Sequence, residues 1–462
     1  MVINMKSSFK LKKISSIHLI PVSFLIAILI GTILLMLPVA SATGKSTDFL
    51  TALFTATTSV CVTGLVVVDT FSHWSMAGQM IILFLVQIGG LGIITVISMV
   101  MVVAQKKFSL GDRKMLQDAL NLNTDVGIVK FLIKIFKATL MVEAIGAVLY
   151  SIKFIPRFGV AKGIWVSIFN SVSAFCNAGM DVMGPDSLMV YRSSPLVMFV
   201  TMTLIVMGGL GYVVWFDVYH NVKDGIKKRF DLIQIFWRFN EHTKIVLVVT
   251  FVLIFAGAAV FFVTEYNNPT TMGHMQPGER VMNSLFESIT LRTAGFTTFG
   301  QENLTGMSCI FAYVLMFIGG SPVGTAGGIK TVTFFLAFFS VVSYIREEEG
   351  TVVFNRRVTE DAMRKATVIV AVSSFTVLVL TLLLIAANPM PVADALFEII
   401  SGSATVGLTR GMTGTLNSLG RVVVICAMYL GRIGPISMAI FFANRRSKKG
   451  ANRYVEGKFY VG

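Results

Sequence analysis

Long apolar runs recur along the whole chain, and they restrict its fold more than any other feature of the sequence. A helix needs about twenty apolar residues to cross the roughly 30 Å hydrocarbon core of a bilayer. Eight runs reach or approach that length: Ile17–Leu37, Gln79–Ala104, Ala138–Phe154, Leu196–Phe216, Ile245–Val263, Ile310–Tyr344, Ala366–Ala387 and Val422–Ala443. Since 55% of the 462 residues are apolar and only 14% are charged, the sequence predicts an all-α integral membrane protein with eight transmembrane helices.

Basic residues cluster in alternate connections between these runs. The clusters lie within residues 6–13, 106–114, 223–244, 346–365 and 445–449. Counted by the positive-inside rule, they predict that both termini are cytoplasmic in a multi-pass membrane protein. We interpret the formal net charge of +15 as this orienting charge, which also attracts anionic lipid, and not as a nucleic-acid-binding surface.

No pattern typical of an enzyme or a metalloprotein occurs in the sequence. The four cysteines, Cys61, Cys176, Cys309 and Cys426, form no CxxC pair and join no histidine cluster, so we expect buried thiols. Neither a GxSxG nor an HExxH motif is present. We therefore expect no enzymatic activity and no cofactor in this chain.

One short motif occurs four times, each time between two apolar runs. The four copies are ALFTATTSVCVTGL, SIFNSVSAFCNAGM, SLFESITLRTAGF and ALFEIISGSATVGL. In each copy a phenylalanine precedes a glycine by nine or ten residues: Phe54 and Gly64, Phe169 and Gly179, Phe286 and Gly295, Phe397 and Gly407. Roughly ten helical residues rise about 15 Å, half of the hydrocarbon thickness. Each copy is therefore predicted to enter the membrane and return on the same side.

This repetition divides the chain into four span–pore-loop–span units. The predicted repeats are residues 17–108, 127–221, 243–346 and 362–444, with cytoplasmic tails at 1–16 and 445–462. Irregular backbone at membrane depth is tolerated only inside protein or around a water-filled cavity, so four loops predict one shared pore. The negative ends of four short helices would favour a cation there.

Carbonyl oxygens before each glycine can replace the water around such a cation, and glycine permits the turn that this requires. For any single glycine, an ordinary loop or helix end remains the alternative; four at corresponding points favour the pore. The predicted ion-binding residues are Val62, Thr63, Gly64, Asn177, Ala178, Gly179, Thr293, Ala294, Gly295, Thr405, Val406 and Gly407.

Six motifs together resemble the Trk/Ktr/HKT superfamily of potassium transporters, and most closely its KtrB-type subunits. They are VTGLVVVDT (62–70), QIGGLG (87–92), FCNAGM (175–180), LRTAGF (291–296), TVGLT (405–409) and GRIGP (431–435). The resemblance implies a pseudo-fourfold arrangement around one pore per protomer, a homodimer, potassium as the ion, and a location in the bacterial plasma membrane. It also implies a cytoplasmic ring of RCK domains, KtrA-like and binding adenine nucleotide, as a regulatory partner.

The sixth run is too long for one span, because its 35 residues would extend about 52 Å as a helix. Glycines and Pro322 interrupt its centre, so residues 319–329 are predicted to form a loop across the pore. The loop lacks the GxxxxGK[ST] spacing of a nucleotide-binding P-loop, and the resemblance implies a gate. The predicted gate residues are Gly319, Gly320, Ser321, Gly324, Thr325, Gly327, Gly328, Lys330 and Arg432.

Three kinds of charged residue near the predicted pore leave alternatives open. Lys330 either faces the pore or extends toward the cytoplasm. Arg432 either faces the pore, as in the resembling family, or forms a buried pair with a carboxylate such as Glu287 or Glu398. We interpret those two glutamates as braces for backbone N–H groups of the filter, with direct ion coordination as the alternative. Arg292 has no counterpart in the other repeats, so the filter side chains cannot be fourfold symmetric.

The predicted function is therefore potassium uptake across the plasma membrane, gated by an intramembrane loop and regulated by a cytoplasmic partner, with sodium as a second or coupled ion. An alternating-access cation symporter is the alternative. Inverted repeats are typical of such carriers, whereas each repeat here crosses the membrane an even number of times and keeps one orientation.

Overall fold

The structure is a computed structural model, and it describes residues 16–103, 127–184, 186–348 and 350–434. The described part is almost entirely helical. Its helices are α1 (Ser16–Met36), α2 (Phe49–Cys61), α3 (Thr70–His73), α4 (Met76–Leu91), α5 (Ile93–Val103), α6 (Ile128–Phe158), α7 (Val160–Cys176), α8 (Pro195–Leu210), α9 (Tyr212–Lys228), α10 (Leu232–Arg238), α11 (Glu241–Glu265), α12 (Pro277–Thr290), α13 (Gly306–Phe317), α14 (Thr331–Ile345), α15 (Glu360–Ala387), α16 (Val392–Ser403) and α17 (Ser418–Ile433). Two short antiparallel strands, β1 (Val352–Val353) and β2 (Arg356–Arg357), complete it, with Val352 opposite Arg357.

Long helices of the described part carry exposed apolar side chains, and α15 is an example. On α15, the Thr359 hydroxyl accepts a hydrogen bond from the Ala362 N–H, and two acidic residues occupy the first turn, which favours helix initiation there. Further along, Phe375 and Leu382 are more than half exposed. Exposed apolar side chains over several turns are typical of a lipid-facing surface.

Two of the described helices, α11 and α15, are long and apolar enough to cross a bilayer unbroken. The pair α8 and α9 passes the same criterion together but bends by 100° between its halves. The eight-span topology and the repeat boundaries therefore stay predictions. Of the predicted features, residues 1–15, the basic cluster 106–114, residues 435–443 of the eighth run and the tail 445–462 lie outside the described residues.

Four short helices, α2, α7, α12 and α16, carry the repeated motif, and we call them the pore helices. They have 12 to 17 residues, so they rise about 18 to 26 Å, less than a bilayer core. The repeated phenylalanines, Phe54, Phe169, Phe286 and Phe397, are all fully buried. These side chains anchor the four helices in one continuous apolar core.

In three of the four repeats, the helix that follows the pore loop ends or breaks at a glycine with positive φ. The glycines are Gly92 between α4 and α5, Gly211 between α8 and α9, and Gly434 after α17. The sequence predicts the second and fourth runs as single helices, and the structure breaks both. The cysteine prediction is also partly wrong, because Cys426 is exposed while Cys61, Cys176 and Cys309 are buried.

Candidate ion-binding site

The four repeated glycines lie next to one another in a closed ring. Each glycine faces a backbone carbonyl oxygen of the next loop, which belongs to the residue directly before that loop's glycine. A Cβ atom added to the first glycine would overlap this oxygen. Around the ring, the pairs are Gly64 with Ala178, Gly179 with Ala294, Gly295 with Val406, and Gly407 with Thr63. The last pair closes the circle because Thr63 precedes Gly64. The structure thus brings all four loops together, in chain order.

In every loop, the residue two positions before the glycine has a left-handed backbone conformation. The φ angles are 56° at Val62, 58° at Asn177, 72° at Thr293 and 54° at Thr405. This conformation is unfavourable for β-branched residues, so the surrounding contacts must hold it in place. The glycines themselves have φ between 62° and 96°, where a side chain would be strained.

Backbone hydrogen bonds to the pore helices explain this geometry. In three repeats, the N–H of the residue before the glycine donates to a carbonyl five residues back, each at 2.8 Å. The donors and acceptors are Thr63 to Thr58, Ala178 to Ser173 and Val406 to Ser401. Such bonds are typical of a helix that ends in a left-handed residue. They turn the N–H groups back toward the helix ends.

The carbonyl oxygens of the ring have no such partners. Those of Thr63, Ala178, Ala294 and Val406 accept no hydrogen bond from the described residues, although all four residues are fully buried. Buried backbone carbonyls are nearly always paired. Four unpaired oxygens in one ring, at the negative ends of four helices, form a site that can bind a monovalent cation.

Glycines of α4, α8 and α17, the helices that follow three of the pore loops, allow close contact with the pore helices. An added Cβ atom would overlap a pore-helix carbonyl at Gly89, Gly208 and Gly431, whose partners are Val60, Phe175 and Ser403. Each partner lies four residues before a ring glycine. The third repeat differs, because residues 318–330, between α13 and α14, form a loop there.

This loop, which we call the gate loop after its predicted role, bonds to the break between α8 and α9. Ser321 and Thr325 donate backbone N–H bonds to the carbonyls of Gly209 (2.8 Å) and Gly208 (3.1 Å). The Thr325 hydroxyl donates to the Phe175 carbonyl of α7 at 3.0 Å. On its other side, Gly327 lies against Thr405, beside the ring. The gate loop thus connects the third repeat to the second and the fourth.

The two predicted basic gate residues both donate to backbone carbonyls. Arg432 donates to the carbonyl of Thr325 at 2.7 Å and to that of Gly89. Lys330 is half-buried and donates to the carbonyl of Ala326, in its own loop, at 2.6 Å. Neither alternative proposed for Lys330 describes this bond. No ion pair joins Arg432 to Glu287 or Glu398 within the described residues, so that alternative is wrong.

The two pore-helix glutamates have different surroundings. Glu398 accepts hydrogen bonds from the hydroxyls of Thr409, at 2.8 Å, and of Thr413. Both oxygens of Glu287 are buried without a hydrogen-bond partner among the described residues. The interpretation that these carboxylates brace backbone N–H groups is therefore wrong.

The profile of the TrkH family, described as a cation transport protein, matches residues 7–451. This chain belongs to that family. The resemblance of the motifs to the Trk and Ktr transporters is thereby confirmed, and the TrkH-family chain is a membrane protein.

Relatives match the TrkH-family chain over nearly its full length. It is 37% identical to the potassium/sodium uptake protein NtpJ of Enterococcus hirae, covering 98% of both chains. It is 35% identical to the Ktr system potassium uptake protein B of Bacillus subtilis, covering 96% of both. A crystal structure of the potassium transporter TrkH from Vibrio parahaemolyticus superposes with a TM-score of 0.72 at 18% identity, covering 93% of this chain and 86% of that one. At this identity, the structural likeness shows the shared fold alone.

Hydroxyl groups of the pore helices also bind the loops in this TrkH-family chain, a role that the sequence predictions do not include. Thr58 and Ser401 accept bonds from the N–H groups of Gly64 (2.9 Å) and Gly407 (3.1 Å), and Ser173 accepts one from Met180 (3.1 Å). A serine or threonine six residues before the glycine in three repeats is the signal that could have identified them. These hydroxyls hold the loops on their helices.

Proposed function

We propose that this protein takes up potassium through the ring of Gly64, Gly179, Gly295 and Gly407. The observation that carries the proposal is the set of four buried carbonyl oxygens without hydrogen-bond partners, all facing neighbouring loops of one ring. Oxygens held in this way replace the hydration shell of a monovalent cation. The printed names of the relatives support potassium, and the name of the Enterococcus hirae protein also refers to sodium.

The gate loop is proposed to occlude the pore until it is moved aside. Its bonds to Gly208 and Gly209 and its contact with Thr405 support a resting position beside the ring. These are bonds of ordinary strength, each contributing about 1 kcal/mol. A partner that binds the cytoplasmic side can supply enough free energy to break several of them.

We assign that role to a cytoplasmic ring of RCK domains that binds adenine nucleotide, acting on a homodimer of this chain. The name of the Bacillus subtilis relative, which refers to a Ktr system, supports more than one component. The basic tail 445–462 would contribute to docking. Co-purification of the partner with the full chain, and its loss when residues 445–462 are removed, tests this assignment.

The direct test of transport is cation uptake into liposomes that contain the purified protein, and into a bacterial strain without its own potassium systems. We expect rubidium and potassium uptake driven by membrane potential, and weaker sodium uptake. Gly64→Ala should abolish uptake, because a Cβ atom there overlaps the Ala178 carbonyl.

Gly414→Ala is the matched control, since a Cβ atom at Gly414 has no neighbour within 4 Å. Unchanged uptake in Gly64→Ala would contradict the proposal. Saturation at low ion concentration with slow turnover would favour an alternating-access carrier instead.

A further inference from the structure

A small cavity lies between the second and third repeats, beside the gate loop. One wall is the apolar end of α8, including Ile205 and Leu210, and the other walls include Thr250 of α11, Arg292 and Gly320. The space admits about one small ion or water molecule. Arg292 belongs to the segment that leads into the ring, three residues before Gly295, and Gly320 belongs to the gate loop, so residues of both segments line the cavity.

Arg292 is an unusual arginine for a site at membrane depth. Its side chain is buried, and its Nε–H has no hydrogen-bond partner among the described residues. No carboxylate of the described residues forms an ion pair with it. Arg432, the other arginine near the ring, donates to two carbonyl oxygens instead. A buried cation without a partner is strongly unfavourable.

Two further hydrogen-bond donors lining the cavity also have no partner. The Thr250 hydroxyl is buried and forms no hydrogen bond among the described residues. The Gly320 N–H donates none either, although its neighbours Gly319 and Ser321 both donate. The rest of the lining is apolar apart from the Gly209 backbone, whose carbonyl already accepts the Ser321 N–H.

We infer that this cavity binds a small monovalent anion such as chloride. A guanidinium, a hydroxyl and a backbone N–H around an apolar pocket offer positive charge and hydrogen-bond donors without a competing carboxylate. The space is too small for a lipid phosphate. The bound anion neutralises Arg292 next to a pathway for cations, and its bond to Gly320 stabilises the gate loop in its position against α8.

The experiment compares purified full-length protein in potassium chloride with the same protein in potassium gluconate, at equal potassium concentration. We expect the melting temperature to rise with chloride and to saturate. Thr250→Val removes one donor without changing the shape of the side chain, so it should raise the half-saturating chloride concentration roughly tenfold. Thr270→Val is the matched control, because Thr270 is an exposed threonine in a loop outside this cavity.

Crystals soaked in bromide provide a second measurement that does not depend on transport. We expect an anomalous peak between Thr250, Arg292 and Gly320 in the wild type and a much weaker one in Thr250→Val. Equal melting temperatures in chloride and gluconate together with no bromide peak, or with water only in the cavity, would overturn the inference. Arg292→Gln should lose the chloride effect entirely. If Arg292→Gln does not fold, Thr250→Val still tests the inference. Melting temperature and bromide density measure anion binding directly. A negative result in them therefore contradicts the anion site and leaves the proposed potassium uptake untouched.

Discussion

The guanidinium of Arg432 donates a 2.7 Å hydrogen bond to the carbonyl oxygen of Thr325, 107 residues away in the chain. Its second bond, to the carbonyl of Gly89, lies in the first repeat. One side chain of the fourth repeat therefore connects the gate loop to the end of α4. The same Thr325 also bonds to Gly208 and Phe175 of the second repeat, so this residue joins three repeats at the loop.

Loss of the Arg432 bonds should free the gate loop. A hydrogen bond to a charged group contributes about 1.5–3 kcal/mol, and Arg432→Gln cannot make both bonds of the guanidinium. We expect rubidium uptake into liposomes without any partner protein to increase several-fold. The removal of a positive charge beside the proposed cation pathway should act in the same direction.

Arg421→Gln is the control for this prediction. Arg421 lies on the same helix, α17, and donates to Leu416 and Thr51, away from the gate loop. Its replacement should leave uptake unchanged. Equal or lower uptake in Arg432→Gln, in protein of normal melting temperature, would show that the arginine does not restrain the loop.

Adjacent glycines in α8 provide a second prediction. A Cβ atom at Gly208 would overlap the Phe175 carbonyl and lie 2.7 Å from the Thr325 hydroxyl, whereas at Gly209 the nearest atoms are 3.6 and 3.7 Å away. Gly208→Ala should therefore destabilise the protein by about 1–3 kcal/mol, as expected for overpacking, and displace the gate loop. Gly209→Ala should be near neutral. Thermal unfolding and rubidium uptake of the two variants provide the comparison, and equal effects would contradict the packing argument.

The pore helices and their glycines were predictable because the signal is local and occurs four times. A phenylalanine nine or ten residues before a glycine is visible in the sequence, and both residues have the same structural role in every repeat. The breaks at Gly92 and Gly211 were not predictable in this way. A GGLG sequence is also compatible with a continuous helix, and here the contact with a distant pore helix accompanies the break.

Side-chain partners of the charged residues were the least predictable part of the site. The partner of Arg432 is a backbone carbonyl more than a hundred residues away, and no residue type or spacing encodes that choice. Glu398 and Glu287 occupy matching places in the motif, yet only Glu398 has two hydroxyl partners. The sequence shows the glutamates but not the threonines that fold back onto one of them.

This contrast between the glutamates gives a third prediction. Glu398→Gln replaces a carboxylate that accepts two hydroxyl donors, and we expect it to destabilise the protein by about 1–3 kcal/mol. Glu287→Gln removes a buried negative charge whose oxygens lie near the Gln301 side chain but accept no hydrogen bond among the described residues, so it should be neutral or stabilising. Melting temperatures of the two isosteric variants test this difference. A larger loss in Glu287→Gln would mean that its carboxylate has a bound partner.

The loop after the second ring glycine leads to a prediction about pH. Burial raises the pKa of Asp181 from its ordinary value of 3.8 to about 6, and the nearby Asp69 carboxylate adds to this shift. The side chain is therefore mostly charged at pH 7.5 and mostly neutral at pH 5.5. Since Asp181 lies two residues beyond Gly179, we expect its negative charge to attract cations to the ring. Uptake should fall as the pH on the side of the membrane from which Asp181 is reached decreases from 7.5 to 5.5.

Asp181→Asn separates this effect from other titrations. Its uptake should be low at both pH values, because asparagine is neutral throughout. The stability of the wild type should change with pH in the direction opposite to its uptake, and should increase as the pH falls. A carboxyl group whose folded pKa is raised stabilises the fold below the unfolded pKa, and that contribution is lost as the pH rises through about 6. The variant should therefore melt at a higher temperature than the wild type at pH 7.5 but not at pH 4. An unchanged pH dependence of both uptake and melting in Asp181→Asn would assign the titration to another group.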